Sequence, residues 1–265
     1  MTSLSMTVAD GLTITRRNLI KVKRVPDLIV FATLSPIMFV LLFRYVFGGA
    51  INVPGDISYA EFLLPGIFAQ TVVFGSTITG ASLADDLQKG LIDRFRSLPM
   101  AHSAVLVGRT VADLALNALS IAVMALTGLA VGWRIHTSVG EAALGFLVLL
   151  GFAYAVSWLM ALVGLIVRTP EVVNNASFIV IFPITFVANT FAPLETFPSV
   201  LRHFAEWNPV SSVVQAARNL FGNSFGAPDV WSLQHPVLYA ALWGVAILAV
   251  FVPLSVRTYR STASR

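Results

Sequence analysis

The densest cluster of charged residues in the sequence lies in one short segment, from Asp85 to Pro99. Asp85 and Asp86 open this segment and its basic residues follow, an order that complements a helix dipole. Apolar residues recur along it at positions i, i+4, i+8 and i+11, namely Leu87, Leu91, Phe95 and Leu98. This spacing predicts an amphipathic helix over residues 85–99. Such a helix fits a groove on a soluble partner, although an ordinary basic loop beside a membrane has a similar composition.

Motifs for other kinds of chemistry are absent from the sequence. No stretch follows the pattern G-x-x-x-x-G-K-[ST] of a phosphate-binding loop, and the one lysine next to a glycine, Lys89, precedes that glycine. The absence of cysteine excludes disulfides and thiolate metal sites. The four histidines lack metal-ligand spacing; they are His102, His136, His203 and His235. We therefore expect that the chain does not hydrolyse ATP and binds no cofactor or metal itself.

Acidic residues avoid the middle of the apolar segments, and the two nearest to it, Glu61 and Asp113, lie about two turns or less from the end of a span. An ionisable group inside a membrane is costly and is therefore usually functional. Asp113 is accordingly the candidate for a proton-coupling site. The alternative is that Asp113 forms an ion pair with Arg109, which lies one helical turn earlier.

The composition is that of a membrane protein. Hydrophobic residues make up 57% of the 265 residues and charged residues 11%, whereas soluble domains have about 45–50% and about 25%. A membrane-spanning helix needs about 20 apolar residues, and six segments meet this requirement. We predict an all-α integral membrane protein, a single transmembrane domain over residues 1–265. Its six transmembrane helices are predicted at residues 28–47, 62–84, 104–131, 142–167, 172–191 and 237–256.

Two further regions are predicted to be helical without crossing the membrane. Residues 8–24 present an apolar face opposite to basic side chains, which predicts an interfacial amphipathic helix. Residues 193–233 are too polar to span a membrane, but they contain two short apolar-faced stretches separated by Asn208 and Pro209. This pattern predicts an outer helical hairpin before the last span, which caps the bundle or dips into the outer leaflet.

Basic residues predict the orientation of the chain, because they concentrate on the cytoplasmic side of membrane proteins. With the N-terminus inside, thirteen of the seventeen lysines and arginines lie on the inner side, including all three lysines. The four that remain outside are Arg44, Arg134, Arg202 and Arg218. Both termini are therefore predicted to be cytoplasmic.

Two groups of motifs carry a resemblance to a known family. The first consists of residues 90–99, Gly-Leu-Ile-Asp-Arg-Phe-Arg-Ser-Leu-Pro, followed by Gly-Arg-Thr-Val-Ala-Asp at 108–113. The second consists of the proline-containing segment 191–198, followed by Trp-Asn-Pro at 207–209 and Arg-Asn-Leu-Phe at 218–221. Over almost its whole length, the chain resembles the permease subunits of ABC type-2 exporters of the daunorubicin-resistance multidrug efflux type. In this family, the first group forms a cytoplasmic coupling helix and the second an outer re-entrant hairpin.

The resemblance implies an obligate complex in the bacterial cytoplasmic membrane. Two permease chains, identical or related, pair with two separate ABC ATPase subunits, which bind the ATP and Mg. Closure of the ATPases pushes on the coupling helices and opens a path for the substrate. The residues implied in this coupling are Asp86, Lys89, Gly90, Asp93, Arg94, Phe95, Arg96 and Pro99.

The resemblance also implies which segments line the substrate path, namely the first, second and fifth spans. The polar candidates are Gln70, Thr71 and Thr77 in the second span and Thr185, Asn189 and Thr190 in the fifth. Each of them could equally form an interhelical hydrogen bond. Phe68, Phe74 and Phe186 are candidates for an apolar lining. The implied function is ATP-driven export of a hydrophobic or amphipathic drug, antibiotic or lipid-like molecule.

Other functions remain open at this point. An ion-coupled secondary carrier would use Asp113 and would need no ATPase. The same ABC architecture also exports polysaccharides and glycolipids. A membrane scaffold or enzyme would move no substrate. The expected partners are an ATPase subunit, a second permease chain and membrane lipid, and no nucleic acid.

Overall fold

The structure is a computed structural model, and it describes residues 4–24, 26–47, 57–92, 102–167, 169–225 and 229–261. These residues form eleven α-helices and no strand. The helices are α1 Leu4–Arg24, α2 Pro26–Leu42, α3 Tyr59–Gly75, α4 Thr77–Gln88, α5 His102–Ala130, α6 Val139–Ile166, α7 Pro170–Phe186, α8 Ser199–Trp207, α9 Pro209–Phe221, α10 Trp231–Gln234 and α11 Pro236–Ser261. A π-helical turn, Phe43–Phe47, continues α2.

Within the described part of the chain, four helical segments are long and apolar enough to cross a membrane, so the chain is a multi-pass membrane protein. They are Tyr59–Gln88, Ser103–Ala130, Val139–Ile166 and Pro236–Ser261. Their lengths correspond to roughly 39–45 Å of helix, more than the thickness of the hydrocarbon core. The first and fifth predicted spans contain shorter apolar helices, Thr33–Val46 and Pro170–Phe186. The predicted count of six spans therefore stays a prediction.

The second predicted span is bent at Ser76, which separates α3 from α4. The Ser76 hydroxyl donates to the Val72 carbonyl oxygen at 2.7 Å and to the Ala153 carbonyl oxygen of α6 at 3.0 Å. The bend is therefore attached to α6. Helix α4 then continues to Gln88, past the predicted end of the span at residue 84.

The two ends of the bundle are named here after described residues. At the Lys89 end, α4 ends and α5 begins. At the Trp133 end, α3 begins, α5 ends and α6 begins. The Trp133 indole packs edge-to-face against Phe68 and Phe221, with ring centroids 5.3 and 5.5 Å apart. Its Nε1 donates to the Asn223 Oδ1 at 2.7 Å, so the indole N–H is hydrogen-bonded although it lies within an apolar cluster.

Close helix crossings depend on glycine. A Cβ added at Gly164 of α6 would lie 2.2 Å from the carbonyl oxygen of Gly80 in α4, and one added at Gly66 of α3 would lie 2.7 Å from the carbonyl oxygen of Thr190. Any larger residue at these positions would push the backbones apart. Close backbone approach through small residues is characteristic of helix packing in membranes.

Helix α1 covers the predicted interfacial segment 8–24 and is attached to the bundle along one side. Ile14 is buried against Gly108 of α5, and the Thr15 hydroxyl donates to the Gly108 carbonyl oxygen at 3.3 Å. Leu12 and Leu19, on the predicted apolar face, are exposed. The helix thus has a side packed on α5 and a separate apolar side that remains available to lipid.

The predicted hairpin segment contains the helices α8 and α9. Both expected stretches are helical, and α9 begins at Pro209 with Asn208 as its N-cap, because the Asn208 Oδ1 accepts from the Val210 amide at 2.9 Å. Helix α8 leaves its apolar side exposed, whereas α9 is almost entirely buried. Helix α9 packs against α3, α6 and α11 and is therefore part of the bundle core.

Candidate functional site

A cavity of about 510 Å³ lies among α1, α2, α3, α4, α5 and α7. Its volume falls within the range of pockets that hold drug-sized ligands, roughly 300–1,000 Å³. Its walls differ in chemistry, since one helix contributes polar side chains at regular intervals and another contributes phenylalanines at regular intervals.

The polar wall is a single face of α5, which we name the polar stripe. It consists of Arg109, Asp113, Asn117 and Ser120, all of which line the cavity. Their spacing of four, four and three residues places them on the same side of a helix. At 1.5 Å per residue, the polar stripe is roughly 16 Å long.

The apolar wall is a face of α7, which we name the aromatic stripe. It consists of Phe178, Phe182 and Phe186, whose successive ring centroids lie 4.9 and 4.0 Å apart. Phe74 of α3 lies 6.2 Å from Phe178 and extends this surface across the cavity, and Phe39 of α2 also lines it. A stack of this kind offers a continuous apolar surface to a ring system.

The two charged residues of the polar stripe form a buried ion pair. The Arg109 Nε lies 2.9 Å from the Asp113 Oδ2, which also accepts from the Thr79 hydroxyl of α4 at 2.7 Å. Arg109 donates in addition to Ser82 of α4. The predicted pairing of Asp113 with Arg109 is therefore confirmed. These bonds join α4 to α5 beside the cavity, just inside the Lys89 end.

One polar group of the cavity wall has no partner among the described residues. Gln70 of α3 is 4% exposed, and no described atom forms a hydrogen bond with its side-chain Oε1. A buried acceptor without a partner costs about 1–3 kcal/mol. Because Gln70 lines the cavity, a ligand that carries a hydrogen-bond donor would satisfy this oxygen.

Of the residues predicted to line the substrate path in the second span, some line the cavity and others pack elsewhere. Gln70 and Thr71 line the cavity, as do the predicted apolar residues Phe74 and Phe186. Thr77 does not line it, and its hydroxyl donates to the Phe74 carbonyl oxygen at 2.7 Å. Phe68 packs in the aromatic cluster around Trp133 instead.

The polar residues predicted for the fifth span lie away from this cavity. The Thr185 hydroxyl donates to the Ile181 carbonyl oxygen at 2.9 Å, and the Thr190 hydroxyl donates to the Thr185 carbonyl oxygen at 3.4 Å. The Asn189 amide nitrogen Nδ2 donates to the Gln215 Oε1 of α9 at 3.2 Å. All three are buried. Only the Asn189 side chain forms an interhelical bond, to α9, whereas the two threonine hydroxyls bond within their own segment.

Arg218 of α9 completes this second polar region. Its Nε donates to the Phe62 carbonyl oxygen at 2.9 Å, and its Nη2 donates to the carbonyl oxygens of Asn189 and Thr190 at 2.7 and 3.2 Å. The guanidinium carbon also lies 3.7 Å from the centroid of the Phe62 ring. We name Arg218, Phe62, Asn189 and Thr190 the Arg218 cluster. It ties α9 to α3 and to the end of α7.

Several cavity residues were not among the candidates from sequence. Asn117 and Ser120 continue the polar stripe, Phe178 and Phe182 continue the aromatic stripe, and Asn18 contributes a polar side chain from α1. The four-residue and three-residue spacing within an apolar segment is the signal that could have identified both stripes. Asn18 carried no such signal, because its position depends on the packing of α1 against α5.

Only part of the predicted coupling segment is described. Asp86 lies in the last turn of α4. Lys89 is exposed and forms an ion pair with Asp85 at 2.7 Å, and this carboxylate raises the pKa of Lys89. Gly90 has φ +64°, a left-handed conformation that favours glycine, and it ends the helix. Asp93, Arg94, Phe95, Arg96 and Pro99 lie outside the described residues.

Residues 11–221 of the chain match the model of the ABC-2 type transporter family. The chain belongs to this family. The match includes both stripes of the cavity, the described coupling residues and the Arg218 cluster, so these features lie within the region that defines an ABC-2 transporter.

Curated relatives of this ABC-2 transporter are permease proteins. The daunorubicin resistance ABC transporter permease protein DrrB1 of Streptomyces coeruleorubidus is 34% identical over 254 residues, 96% of this chain and 87% of that protein. The probable doxorubicin resistance permease DrrC of Mycobacterium tuberculosis is 25% identical over 256 residues, 96% and 90% of the two chains. The putative transport permease ycf38 of Cyanophora paradoxa is 24% identical over 215 residues, 79% and 73% of the two chains. These relatives support an ABC exporter permease.

Proposed function

We propose that this chain is the membrane subunit of an ATP-driven exporter and moves amphipathic molecules through the cavity between the two stripes. The cavity with its polar and aromatic walls is the observation that carries the proposal. Relatives named for daunorubicin and doxorubicin resistance are consistent with a drug-sized cargo. The route includes Gln70, Thr71 and Phe186 from the sequence-based set, together with the rest of the two stripes.

A separate ABC ATPase subunit supplies the energy in this proposal, as the family of the chain implies. It docks at the Lys89 end, on the segment that contains Asp86, Lys89 and Gly90 and continues through Asp93, Arg94, Phe95, Arg96 and Pro99. This segment joins α4 to α5. Because Arg109 and Asp113 bond across these two helices, a push on the segment changes the wall of the cavity directly.

A second permease chain faces the open side of the cavity. Helices α2 and α7 both line the cavity and both carry exposed apolar residues, among them Met38 on α2 and Ile179 and Val180 on α7. Tyr45, in the π-helical turn that follows α2, is exposed as well. A second copy or a related permease would cover this side, and lipid would cover the remaining apolar surface. The proposed location is the bacterial cytoplasmic membrane, with both termini in the cytoplasm.

The ion-coupled carrier is the weaker alternative. A coupling carboxylate must bind and release a proton during the cycle, whereas Asp113 accepts hydrogen bonds from both Arg109 and Thr79. These bonds join α4 to α5 and give the carboxylate a structural role. A glycolipid remains the second candidate cargo, since the cavity offers both the hydrogen-bonding groups and the apolar surface that such a molecule needs.

Transport in liposomes tests this proposal. The chain is reconstituted with an ABC ATPase subunit from the same organism, and uptake of a doxorubicin probe into inside-out vesicles is measured by fluorescence. We expect uptake that depends on ATP and on both proteins, and that stops when Arg94→Ala and Phe95→Ala are combined. Uphill uptake by the chain alone, driven by a proton gradient, would contradict the proposal.

A further inference from the structure

A second cluster of buried apolar side chains lies at the Lys89 end of the bundle, apart from the core around Trp133. We name it the Lys89-end cluster. Four helices and the start of the proposed docking segment contribute to it. Its buried members are Leu83 of α4, Ile92, Val105 and Leu106 of α5, Trp158, Ala161 and Leu165 of α6, and Tyr259 of α11. The cluster therefore joins the docking segment to α6 and α11, two helices whose described residues do not line the cavity.

Ile92 is the member of this cluster that belongs to the docking segment. It is 2% exposed, although it lies only three residues after the exposed Lys89. Gly90 lies between them with φ +64°, and no described atom outside the neighbouring backbone comes within 4 Å of a Cβ added there. The chain therefore turns at an open position and then buries a β-branched side chain, whose rotation about χ1 is restricted.

Helix α6 connects the Lys89-end cluster to the cavity wall. Trp158 and Ala161 lie five and eight residues after Ala153, which corresponds to roughly 8 and 12 Å of helix. The Ala153 carbonyl oxygen accepts from the Ser76 hydroxyl at 3.0 Å. Ser76 forms the bend between α3 and α4, and the preceding residue, Gly75, lines the cavity. A displacement of α6 would therefore move the bend beside the cavity.

Close contacts hold α6 to its neighbours near the same end. A Cβ added at Gly80 of α4 would lie 2.6 Å from the Met160 carbonyl oxygen of α6. The Ser255 hydroxyl of α11 donates to the Trp158 carbonyl oxygen at 3.2 Å. Helices in such close contact cannot shift independently, because a packed protein interior has few voids and transmits strain.

We infer that Ile92 is a positioning residue for energy coupling. Movement of the docking segment presses Ile92 into the Lys89-end cluster, displaces α6 and so moves the bend at Ser76. The ion pair between Arg109 and Asp113 responds separately, nearer the Lys89 end. This inference rests on the proposed function, because it names the residue through which the ATPase subunit would act on the middle of the cavity.

A purely structural role would make Ile92 equivalent to any other buried isoleucine. Ile121 of α5 provides the matched control, since it is 3% exposed, belongs to the core around Trp133 and does not line the cavity. Truncation of either isoleucine to alanine leaves a cavity and lowers stability. Only the truncation of Ile92 should also separate ATP hydrolysis from transport.

The amount of doxorubicin taken up per ATP hydrolysed tests the inference. Uptake and phosphate release are measured in the same inside-out vesicles, which contain the chain and its ABC ATPase subunit. Ile92→Ala is expected to lower this ratio by about fivefold, while the ATPase subunit co-purifies in the usual amount. Ile92→Val, which removes a single methyl group, should lower the ratio by about twofold and folds more readily than Ile92→Ala. Ile121→Ala should leave the ratio unchanged.

Ser76→Ala locates the route from Ile92 to the cavity, because it removes the bond to Ala153. On its own, this substitution should lower the ratio by about fivefold. In the double variant of Ser76→Ala with Ile92→Ala or Ile92→Val, the ratio should fall no further than in the lower of the two single variants. The effects of two substitutions in one route are not additive, whereas independent effects would multiply.

Three results would overturn the inference: an unchanged ratio in every folded Ile92 variant, an equal fall in the ratio for Ile121→Ala, or losses that multiply in the double variant. None of these results would contradict the proposed function as long as uptake by the unchanged complex depends on ATP. Uptake by the unchanged complex without ATP would contradict the proposed function instead.

Discussion

The cavity and the Arg218 cluster contain the same kinds of polar residue inside apolar helices, but the surroundings of these residues differ. In the Arg218 cluster, a guanidinium bonds to backbone carbonyl oxygens and packs on a phenyl ring. In the cavity, polar side chains line an open volume. Each region also contains one buried side-chain oxygen that has no hydrogen-bond partner among the described residues, the Gln70 Oε1 in the cavity and the Asn189 Oδ1 in the Arg218 cluster. The comparison shows that polarity within a span does not identify a substrate path. A cavity beside the polar group is the feature that distinguishes a candidate substrate path from a structural hydrogen bond.

This difference separates two classes of variant. Changes in the Arg218 cluster should alter stability and leave the transport rate of each folded molecule unchanged. Changes in the cavity wall away from the buried ion pair should alter transport and leave stability nearly unchanged. Changes in the ion pair should affect both stability and transport, because the pair lines the cavity and also joins two helices.

The largest effect is expected for the buried ion pair. Asp113→Leu should lower the free energy of unfolding by about 3–4 kcal/mol, because it leaves Arg109 buried without its ionic partner. The double variant Arg109→Met with Asp113→Leu should recover most of this loss. Thermal unfolding of the purified variants followed by size-exclusion chromatography measures both. If the double variant were no more stable than Asp113→Leu, the pair would not be the source of the loss.

Arg218→Met should have the next largest effect. It leaves the carbonyl oxygens of Phe62, Asn189 and Thr190 without this donor, at a cost of about 2–3 kcal/mol in unfolding free energy. The matched control is Arg202→Met, since Arg202 pairs with Glu206 at 2.9 Å but its side chain is 42% exposed, and such pairs contribute about 0–1 kcal/mol. The unfolding temperatures of Arg218→Met and Arg202→Met are compared with that of the unchanged chain. Transport by each folded molecule of Arg218→Met should remain normal, and a lost rate at normal stability would assign Arg218 to the substrate path.

Gly75→Ala tests the bend beside the cavity. The added Cβ would collide with the Asn117 Oδ1 at 2.0 Å and force Asn117 to turn within the cavity. We expect a loss of about 1 kcal/mol in stability together with severalfold slower ATP-driven uptake. Gly151→Ala of α6 is the control, because no described atom beyond the neighbouring backbone of its own helix lies within 4 Å of the added Cβ. Equal uptake by the two variants would remove Asn117 from the route.

The smallest effect on stability is expected at the surface. Lys89→Ala removes an exposed ion pair with Asp85, so the unfolding temperature should stay that of the unchanged chain. Because Lys89 lies on the proposed docking surface, co-purification of the ATPase subunit should fall severalfold. Arg260→Ala, at the end of α11, serves as the control. Full recovery of the ATPase with Lys89→Ala would place docking elsewhere on the chain.

Long apolar helices could be located from sequence, because a membrane span requires continuous hydrophobicity, although the six predicted crossings stay a prediction. The predicted spans 104–131, 142–167 and 237–256 lie close to α5, α6 and α11. The bend at Ser76 was not predicted, since it depends on the bond from Ser76 to Ala153 of another helix. The packing of α1 against α5 was missed for a similar reason, because the contact depends on Gly108.

The candidate site shows the same limit. Gln70 and Thr71 line the cavity, whereas Thr185, Asn189 and Thr190 do not, and the role of all five in a substrate path stays a prediction. Both groups look alike in sequence, because a hydroxyl or amide in a span can face either a cavity or a neighbouring helix. The polar stripe of α5 was within reach of sequence analysis, since its spacing is visible without any tertiary contact.

Cysteine accessibility measures most directly whether the cavity between the stripes is the substrate route. The chain has no native cysteine, so a cysteine introduced by Asn117→Cys or Phe182→Cys is the only thiol, and Leu126→Cys on the exposed side of α5 is the control. Labelling with a membrane-permeant maleimide is compared with and without doxorubicin in the ATPase-containing complex. The account predicts that doxorubicin slows labelling at positions 117 and 182 and not at 126. Equal labelling rates at all three positions with and without the drug would contradict it.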